Sequence, residues 1–352
     1  MRILHVIQEM RTGGAERVVV SLGRGAAAAG HAVALASGPG ELVEELGGPH
    51  LPLPLLQRAP WRVPGAALRL RKAMQAWRPD VVHCHNPGMA AVAALPTRRG
   101  RRPPGLVSVH GVPEEDWAAT ARVLKLSGLA VVACGPGVAA GLVEHGCAVR
   151  ATITNAVSPA PPPLPRPALD EELGLPPGLR LAVAVGRLVP QKNHQLAVRA
   201  LAQVPDTALV VLGEGPLRAE LEETARAEGV AGRVVLPGVR PDARGIVGAA
   251  DVVVFSSTWE GLPLAALEAL AAGTPVVATA VRGLRELLTD GRDALLVPPD
   301  DPAALAGALR RVLGDPGLAT RLGEGARALA ATHSEETMVA RYLELYGTLI
   351  GG

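Results

Sequence analysis

The stretch DVVVFSSTWEGLPLAALEALAAGTPVVAT, residues 251–279, places a helical segment between two short apolar runs. Asp251 to Phe255 and Pro275 to Thr279 are continuously apolar, as strands buried on both faces of a sheet are. Proline fits a helix only near its start, and Gly273 is typical of the position after one, so we expect a helix from about Pro263 to Ala272. Strand, helix and strand in this order predict a right-handed crossover in a parallel sheet.

The same rhythm recurs along the whole chain of 352 residues. In the first half, strands are predicted at Arg2 to Ile7, Ala32 to Ala36, Asp80 to His83, Leu106 to Val109, Leu129 to Cys134 and Ala151 to Thr154. In the second half, they are predicted at Arg180 to Gly186, Ala208 to Gly213, Arg233 to Leu236, Asp251 to Phe255, Pro275 to Thr279 and Ala294 to Val297. Such a chain is long for one core, so the sequence predicts two doubly wound, Rossmann-like α/β domains.

A proline-rich stretch, Ser158 to Pro167, lies between the two sets of strands. So many prolines exclude a helix or a central strand and favour an extended polyproline connector. Doubly wound domains bind ligands at the carboxyl ends of their strands. We therefore expect the ligand site in a cleft between the two domains.

The formal charge of +2 is unevenly distributed, because Leu51 to His110 holds ten basic residues and one acid, Asp80. The basic residues are Arg58, Arg62, Arg69, Arg71, Lys72, Arg78, Arg98, Arg99, Arg101 and Arg102. This region indicates an anionic surface or substrate, or else a plain solvated face. Within it, helical spacing relates Leu70, Ala73, Met74 and Trp77, which fits peripheral contact with an anionic membrane or a buried helix with basic flanks. No nucleic-acid partner is expected.

The three cysteines, Cys84, Cys134 and Cys147, have neither a disulfide pattern nor metal-ligand spacing. This usage fits a reducing, cytoplasmic setting. The apolar run from Ile3 to Ile7 is too short for a signal peptide. Two longer apolar windows are broken by glycine and proline, so we expect no membrane span.

The stretch of residues 251–279 contains two glutamates, and the predicted helix places them in different structural elements. If the helix begins near Pro263, Glu260 lies in the loop before it and Glu268 lies inside it. Gly261 and Leu262 stand where a capping side chain is usual, which leaves the first N–H groups of the helix open to an anion. The alternative is that water or a distant side chain caps them.

Turns that contain glycine follow the first strand of each half. Gly13-Gly14 permits close approach of a ligand to the backbone, although a plain turn explains it equally well. Arg187 and Lys192 follow the first strand of the second half and suit a diphosphate. Gly135-Pro136-Gly137 fits a dinucleotide fingerprint in its letters, but no acid follows about 20 residues later, so we interpret it as a helix start.

Histidines end two strands of the first half. His110 follows one strand, and His83 and His85 lie on one face at the end of another. A metal site would need further ligands that the sequence does not identify. A structural role is therefore the simpler interpretation of His83 and His85.

Together these stretches resemble the retaining glycosyltransferases of family 4, which have the GT-B fold. The resemblance lies in Gly13-Gly14-Ala15-Glu16-Arg17, His83-Cys84-His85-Asn86, His110-Gly111, Ile153-Thr154-Asn155-Ala156-Val157, Gly186-Arg187-Leu188 with Lys192, Gly213-Glu214-Gly215-Pro216, and Glu260 with Glu268. It covers nearly the whole chain. Ala156 departs from the family, which usually has glycine there.

The resemblance implies a function for each part of the chain. Residues 1–158 would form an acceptor-binding domain, 159–168 a linker, 169–333 a nucleotide-sugar-binding domain, and 334–352 a helix that crosses back to the first domain. The residues implied to bind the nucleotide sugar are Gly13, Gly14, Arg187, Lys192, Arg240, Gly261, Leu262, Pro263, Leu264 and Glu268. His110 and Glu260 would act at the sugar. No metal or cofactor is implied, because fixed cations and helix N–H groups can stabilise the leaving diphosphate.

The expected reaction is transfer of a sugar from a nucleoside-diphosphate sugar to a glycan, glycolipid or small-molecule acceptor, with retention. The stretch Glu260-Gly261-Leu262-Pro263-Leu264 resembles that of polysaccharide and lipopolysaccharide transferases, a resemblance that favours a UDP-sugar, and GDP-mannose is the alternative donor. Two other functions stay open, a sugar-nucleotide epimerase of the GT-B fold and a nucleotide-binding protein without catalysis.

Overall fold

The computed structural model describes residues 1–56, 59–95 and 103–352. The chain divides into two compact units. Unit 1 consists of Met1–Ala156 and Glu335–Gly352, and unit 2 consists of Val157–Ser334. Each unit contains a parallel sheet and its own buried apolar core.

Unit 1 is built on a seven-stranded parallel sheet. Its strands are β1 (Arg2–Val6), β2 (Ala32–Ser37), β3 (His50–Pro52), β4 (Val81–Cys84), β5 (Gly105–Val109), β6 (Ala130–Ala133) and β7 (Ala151–Thr152). Its first helices are α1 (Gly14–Ala28), α2 (Val63–Trp77), α3 (Pro87–Ala94), α4 (Trp117–Ser127) and α5 (Pro136–Glu144). The order is β3-β2-β1-β4-β5-β6-β7. The chain therefore reverses direction across the sheet between β1 and β4, as in a Rossmann fold.

Unit 2 repeats this plan with six parallel strands. The strands are β8 (Arg180–Val185), β9 (Thr207–Leu212), β10 (Val234–Gly238), β11 (Val252–Phe255), β12 (Val276–Thr279) and β13 (Leu295–Val297). The helices are α6 (Arg166–Glu172), α7 (His194–Leu201), α8 (Arg218–Ala227), α9 (Ala243–Ala249), α10 (Leu264–Ala272), α11 (Arg282–Leu287), α12 (Pro302–Gly314) and α13 (Pro316–Ala330). In the order β10-β9-β8-β11-β12-β13 the reversal falls between β8 and β11.

The last helix, α14 (Glu335–Gly351), belongs to unit 1. It buries Tyr342 and Tyr346. The hydroxyl of Tyr346 lies 2.7 Å from Nδ1 of His83, and the hydroxyl of Tyr342 lies 2.8 Å from Oγ of Ser108. The C-terminal helix is therefore attached to β4 and β5 through buried polar contacts.

Two local features differ from the sequence predictions. Strand β3 was not predicted, because its three residues, His50–Pro52, include a histidine and a proline and form no apolar run. It lies at the sheet edge, where proline is tolerated because that position needs no donor on its open side. The prediction that Ser158 to Pro167 excludes a helix is wrong at its end, since α6 begins at Arg166. Proline in the first turn removes no helical hydrogen bond.

The rest of the proline-rich stretch packs against α9. The N–H of Leu164 donates to the carbonyl of Gly245 at 3.1 Å. A Cβ added at Gly248 would lie 3.3 Å from Cα of Pro163, so the small residues of α9 permit this close contact.

Among the described residues, none of the helices is both long enough and apolar enough to cross a membrane.

Candidate active site

In unit 2, an ion pair joins the loops that follow β8 and β11, where the strand order reverses. Nζ of Lys192 lies 2.5 Å from Oε1 of Glu260, and the two side chains are 15% and 4% exposed. Oγ of Ser257 donates to the same carboxylate oxygen at 2.6 Å, and Nε2 of Gln191 lies 3.5 Å from the other. A buried cation and anion therefore lie where doubly wound domains bind their ligands.

Backbone contacts fix the geometry of these two loops. The N–H of Thr258 donates to the carbonyl of Gln191 at 2.8 Å, and Oγ of Ser256 donates to the carbonyl of Lys192 at 3.0 Å. Gly186 follows β8, and a Cβ there would lie 3.1 Å from the side-chain carbons of Lys192. The glycine thus leaves room for the lysine to fold back over the strand end.

Helix α10 starts directly after this loop. Its N-cap is Pro263, whose side chain has no hydrogen-bond acceptor, and its first helical residue is Leu264. Gly261 and Leu262, which precede the cap, are buried. The first turn of an α-helix presents N–H groups and the positive end of the helix dipole, so this position favours an anion.

Glu268 lies within α10 and is held by a cation. Its Oε1 is 3.6 Å from Nε of Arg244, and both side chains are 29% exposed. The guanidinium of Arg244 also donates to the carbonyls of Ser158 and Pro159, at 2.7 and 2.9 Å. One side chain therefore orients Glu268 and anchors the start of the proline-rich stretch.

The two other arginines proposed from the sequence have different surroundings. Arg187 follows β8 and is exposed. Arg240 follows β10 and donates to the carboxylates of Asp242 and Glu172. Hydrogen bonds to Asp242 and then to Glu172 raise its pKa above the usual range of arginine. The guanidinium of Arg240 is thus committed to protein carboxylates in this structure.

In unit 1, the reversal of strand order places the loop after β1 beside the loop after β4. Gly13 is the N-cap of α1 and has an extended backbone. A Cβ on Gly13 would lie 2.3 Å from Oε2 of Glu16, whereas a Cβ on Gly14 would have no described atom within 4 Å. A Cβ at Gly13 would therefore meet only the flexible end of the Glu16 side chain, so packing within the fold requires glycine at neither position.

Four imidazoles gather at the carboxyl edge of the same sheet; we call His5, His83, His85 and His110 the histidine cluster. His5 and His83 are register partners on β1 and β4. Nδ1 of His5 lies 2.9 Å from Nε2 of His85, and Nδ1 of His85 lies 3.4 Å from Nε2 of His110. His83 stacks on His85 with ring centroids 3.9 Å apart, and its nitrogens contact Tyr346 and Ser108.

This geometry does not suit a metal ion. Among the described residues, His5, His83 and His85 form the one group whose ligand atoms lie close enough together, within 4.8 Å. Metal-bound imidazoles direct their in-plane lone pairs at a common point, but the rings of His83 and His85 are stacked with only 29° between their planes. Both nitrogens of His83 already have hydrogen-bond partners. The cluster is therefore a hydrogen-bonded network.

Burial keeps the histidine cluster uncharged. It lowers the pKa of His5 and of His110 to about 4 each. It also lowers the pKa values of His83 and His85 well below the usual value, with smaller contributions from the neighbouring histidines. All four rings are therefore neutral at pH 7.

The structure brings together Lys192, Glu260 and the start of α10, which the sequence analysis proposed as parts of one site. It adds Ser257 and Gln191 around Glu260, and Arg244 beside Glu268, which the sequence analysis missed. Ser257 could have been found from its position three residues before Glu260 in the same loop. His5 lies inside the predicted strand Arg2 to Ile7 and was given no role, yet the adjacency of the first and fourth strands in a Rossmann order would have placed it beside His83.

Two family models match the chain and together span most of it. The model described as "Glycosyltransferase Family 4" matches residues 12–160, and the model described as "Glycosyl transferases group 1" matches residues 165–329. The glycogen synthase of Mycobacterium tuberculosis is 31% identical over 316 residues, which cover 80% of this chain and 72% of that protein. The chain belongs to the group 1 glycosyltransferases.

Other relatives match over a shorter part of their length. The lipopolysaccharide core biosynthesis glycosyltransferase LpsE of Rhizobium meliloti is 35% identical over 175 residues, 49% of this chain. This chain spans 52% of LpsE and 63% of LpsD from the same organism. The crystal structure of Anabaena HepE in complex with UDP-glucose superimposes with a TM-score of 0.87 over 99% of this chain and 100% of HepE, at 22% identity. This structural similarity shows that the chain has the GT-B fold.

Proposed function

We propose that this protein is a retaining glycosyltransferase that moves a sugar from a nucleoside-diphosphate sugar, with a UDP-sugar as the favoured donor, to a glycan, glycolipid or small-molecule acceptor. The buried pair of Lys192 and Glu260 beside the start of α10 carries the proposal. The names of LpsE, LpsD and the glycogen synthase, all sugar-polymerising or glycan-building enzymes, support the reaction class.

The leaving diphosphate is assigned to the cationic part of unit 2. Lys192 supplies a point charge, exposed Arg187 a guanidinium, and the start of α10 from Gly261 to Leu264 supplies backbone donors. The turn at Gly13 and Gly14 also approaches the donor. These groups stabilise the negative charge that grows on the diphosphate, so we propose that the enzyme needs no metal or cofactor. Chelation with EDTA should leave the transfer rate unchanged, and restoration of lost activity by Mg²⁺ would refute this point.

The nucleoside is assigned to Glu268, which accepts hydrogen bonds from the ribose hydroxyls, and to the strand end that carries Arg240. Arg240 contacts the base only if it leaves Asp242 or Glu172, so its part is mainly to frame this strand end. Arg244 holds Glu268 in position for the ribose.

At the sugar, Glu260 and His110 have different tasks. Glu260 is an anion beside the reacting carbon and stabilises the oxocarbenium-like state, while neutral His110 offers a hydrogen bond to the sugar. Retention then follows from attack of the acceptor on the face that the diphosphate leaves, within an ion pair. Glu260 already accepts from Ser257 and Lys192, an environment that suits a stabilising anion better than a covalent nucleophile.

The first experiment is a thermal-shift screen of UDP, GDP and their sugars, because a ligand that binds only the folded state raises its stability. We expect UDP to raise the melting temperature more than GDP does. Product analysis by NMR with UDP-glucose and a sugar acceptor then gives the anomer. An inverted anomer would refute retention, and an epimerised donor formed without acceptor would favour the epimerase alternative.

A second proposal is peripheral contact of unit 1 with an anionic membrane from the cytoplasmic side. Near α2, Trp61 and Leu68 are 78% and 54% exposed, and Arg62, Arg69 and Lys72 are close to them in sequence. Exposed apolar groups among cations are typical of interfacial helices. Arg58, Arg98, Arg99, Arg101 and Arg102 of the same basic region lie outside the described residues.

Sedimentation with liposomes tests this contact. We expect binding to vesicles that contain an anionic lipid, and weaker binding of Trp61→Ser/Leu68→Ser. Equal sedimentation with neutral and anionic vesicles would refute the proposal. Leu126→Ser removes an equally exposed apolar side chain from α4, outside this basic patch, and serves as the control.

A further inference from the structure

Lys192 is followed by a residue whose backbone is in the left-handed conformation. Among the described residues, the non-glycine residues with a positive φ are Arg78, Asn193 and Asp300. At Asn193 φ is 44° and ψ is 47°, and this single residue joins the short helical turn Pro190–Lys192 to helix α7. Most L-residues avoid this conformation, and asparagine and aspartate adopt it more readily than others. The backbone of Asn193 therefore sets the direction of the turn that carries Lys192.

A hydrogen bond joins Asn193 to a second residue with the same conformation. Nδ2 of Asn193 donates to Oδ1 of Asp300 at 3.0 Å, and φ of Asp300 is 58°. A carboxylate oxygen only accepts, so the amide nitrogen of Asn193 must face it. Asn193 follows β8 and Asp300 follows β13. The bond therefore connects two loops at the carboxyl edge of the unit 2 sheet.

Helix α7 is the fixed side of this junction. Six of its eight residues are buried, and they pack in the apolar core of unit 2. The turn Pro190–Lys192 is partly exposed, and its hydrogen bonds to the loop after β11 come from the N–H of Thr258 and from Oγ of Ser256. A change of backbone conformation at Asn193 would therefore displace Lys192 more than it would displace α7.

We propose that Asn193 and Asp300 are positioning residues whose hydrogen bond fixes the direction of Lys192, so that the ammonium group of Lys192 meets both Glu260 and the diphosphate of the donor. This inference rests on the proposed function, which assigns Lys192 to the diphosphate. Neither Asn193 nor Asp300 contacts the substrate. Their bond holds the left-handed backbone of Asn193 and acts through the peptide that joins it to Lys192.

Two substitutions at Asp300 separate the hydrogen bond from the charge. Glycine and asparagine both tolerate a positive φ and both remove the negative charge, but only asparagine keeps an oxygen acceptor for Asn193. By calorimetry, Asp300→Gly should bind UDP about fivefold more weakly than Asp300→Asn does. Both should bind uridine equally within about twofold in an NMR titration, because uridine lacks the diphosphate that Lys192 binds. Equal UDP affinities in the two variants, or an equal loss of uridine affinity in Asp300→Gly, would overturn the proposal.

A double-mutant cycle tests whether Asp300 acts through Asn193. Asn193→Gly permits the same positive φ and removes the side-chain donor. It breaks the bond from its other side, in case Asp300→Gly does not fold, and should bind UDP about fivefold more weakly than the unaltered protein. In the Asn193→Gly background, Asp300→Gly and Asp300→Asn should bind UDP equally within about twofold. A difference that persists without the Asn193 side chain would overturn the proposal.

NMR of the lysine ammonium groups tests the position of Lys192 without any nucleotide. The chain has three lysines, of which Lys72 and Lys125 are exposed and Lys192 forms the buried ion pair. Labelling with ¹⁵N-lysine should give one slowly exchanging ammonium signal, which Lys192→Met removes. This signal should be the same in the unaltered protein and in Asp300→Asn, and shifted or lost in Asp300→Gly. An unchanged signal in Asp300→Gly would overturn the proposal, whereas the expected signals in a protein that binds no nucleotide would refute the proposed function alone.

Discussion

The two units have the same topology and place opposite chemistry at the same point of it. Where the strand order reverses, unit 2 has a buried ion pair, Lys192 with Glu260, and unit 1 has four neutral histidines. A nucleoside-diphosphate sugar has a matching division, since its diphosphate is anionic and its sugar is neutral. The difference teaches that two units of one topology can have opposite electrostatics at the same point of the fold.

The largest expected effect is that of Glu260→Gln, which removes the charge from the ion pair and keeps its hydrogen-bonding shape. Loss of a group that stabilises transition-state charge should lower kcat by about 100- to 1000-fold. UDP should bind at least as tightly as before, because Lys192 no longer has a competing anion. Steady-state kinetics and calorimetry check both. A tenfold weaker affinity for UDP would assign Glu260 to the nucleotide instead.

The second-largest expected effect is a difference between the two units in their stability at acidic pH. Burial lowers the pKa of His5 from 6.5 to about 4. Between pH 6.5 and pH 4, the unfolded chain therefore binds a proton at His5 and the folded chain does not. The free energy of unfolding therefore falls as pH drops from 6.5 towards 4, by up to about 3 kcal/mol for this residue. In unit 2, His194 has the same shift, caused by burial and by Lys192.

With four such histidines against one, unit 1 should open first. Hydrogen exchange at pH 7 and pH 5, corrected for intrinsic rates, should show protection lost in β1 and β4 before β8 and β11. His5→Asn should reduce the effect, while His145→Gln, at an exposed position, should not. Earlier loss of protection in unit 2 would contradict the comparison.

Glu268 offers a smaller test within unit 2. A hydrogen bond to a charged group contributes about 1.5–3 kcal/mol, so UDP should bind at least about tenfold more tightly than 2′-deoxy-UDP. In Glu268→Ala this preference should shrink to about threefold or less. If Glu268→Ala still binds UDP about tenfold more tightly than 2′-deoxy-UDP, Glu268 does not bind the ribose.

The smallest effect is expected at the glycine turn of unit 1. In Gly13→Ala the new Cβ meets only the flexible end of Glu16, so stability should change by no more than about 1 kcal/mol. Affinity for a nucleotide sugar should fall a few-fold if the backbone approaches the ligand. Gly307→Ala, in a helix with no described atom near the new Cβ, is the control. Unchanged affinity would leave Gly13 as a plain turn.

The sequence analysis identified the charged groups of unit 2 better than the histidine cluster of unit 1. Lys192 and Glu260 follow apolar strands, and permanent charges at strand ends are visible as exceptions in the pattern. The role of Arg244 is not visible in the sequence, because it depends on the packing of α9 beside α10. The histidine cluster depends on strand order and side-chain orientation, since His5, His85 and His110 come from three separate segments. The edge strand β3 was not predicted, because its residues form no apolar run.

The central claim is that unit 2 holds the diphosphate while the histidines of unit 1 do not, and UDP affinity measured by calorimetry tests it most directly. Lys192→Met is made together with Glu260→Gln, so that no buried carboxylate loses its partner, and is compared with Glu260→Gln alone. The account predicts that the added Lys192→Met weakens UDP binding at least about tenfold, and that His110→Asn changes it less than about threefold. Unchanged affinity without Lys192, or a tenfold loss without His110, would contradict it.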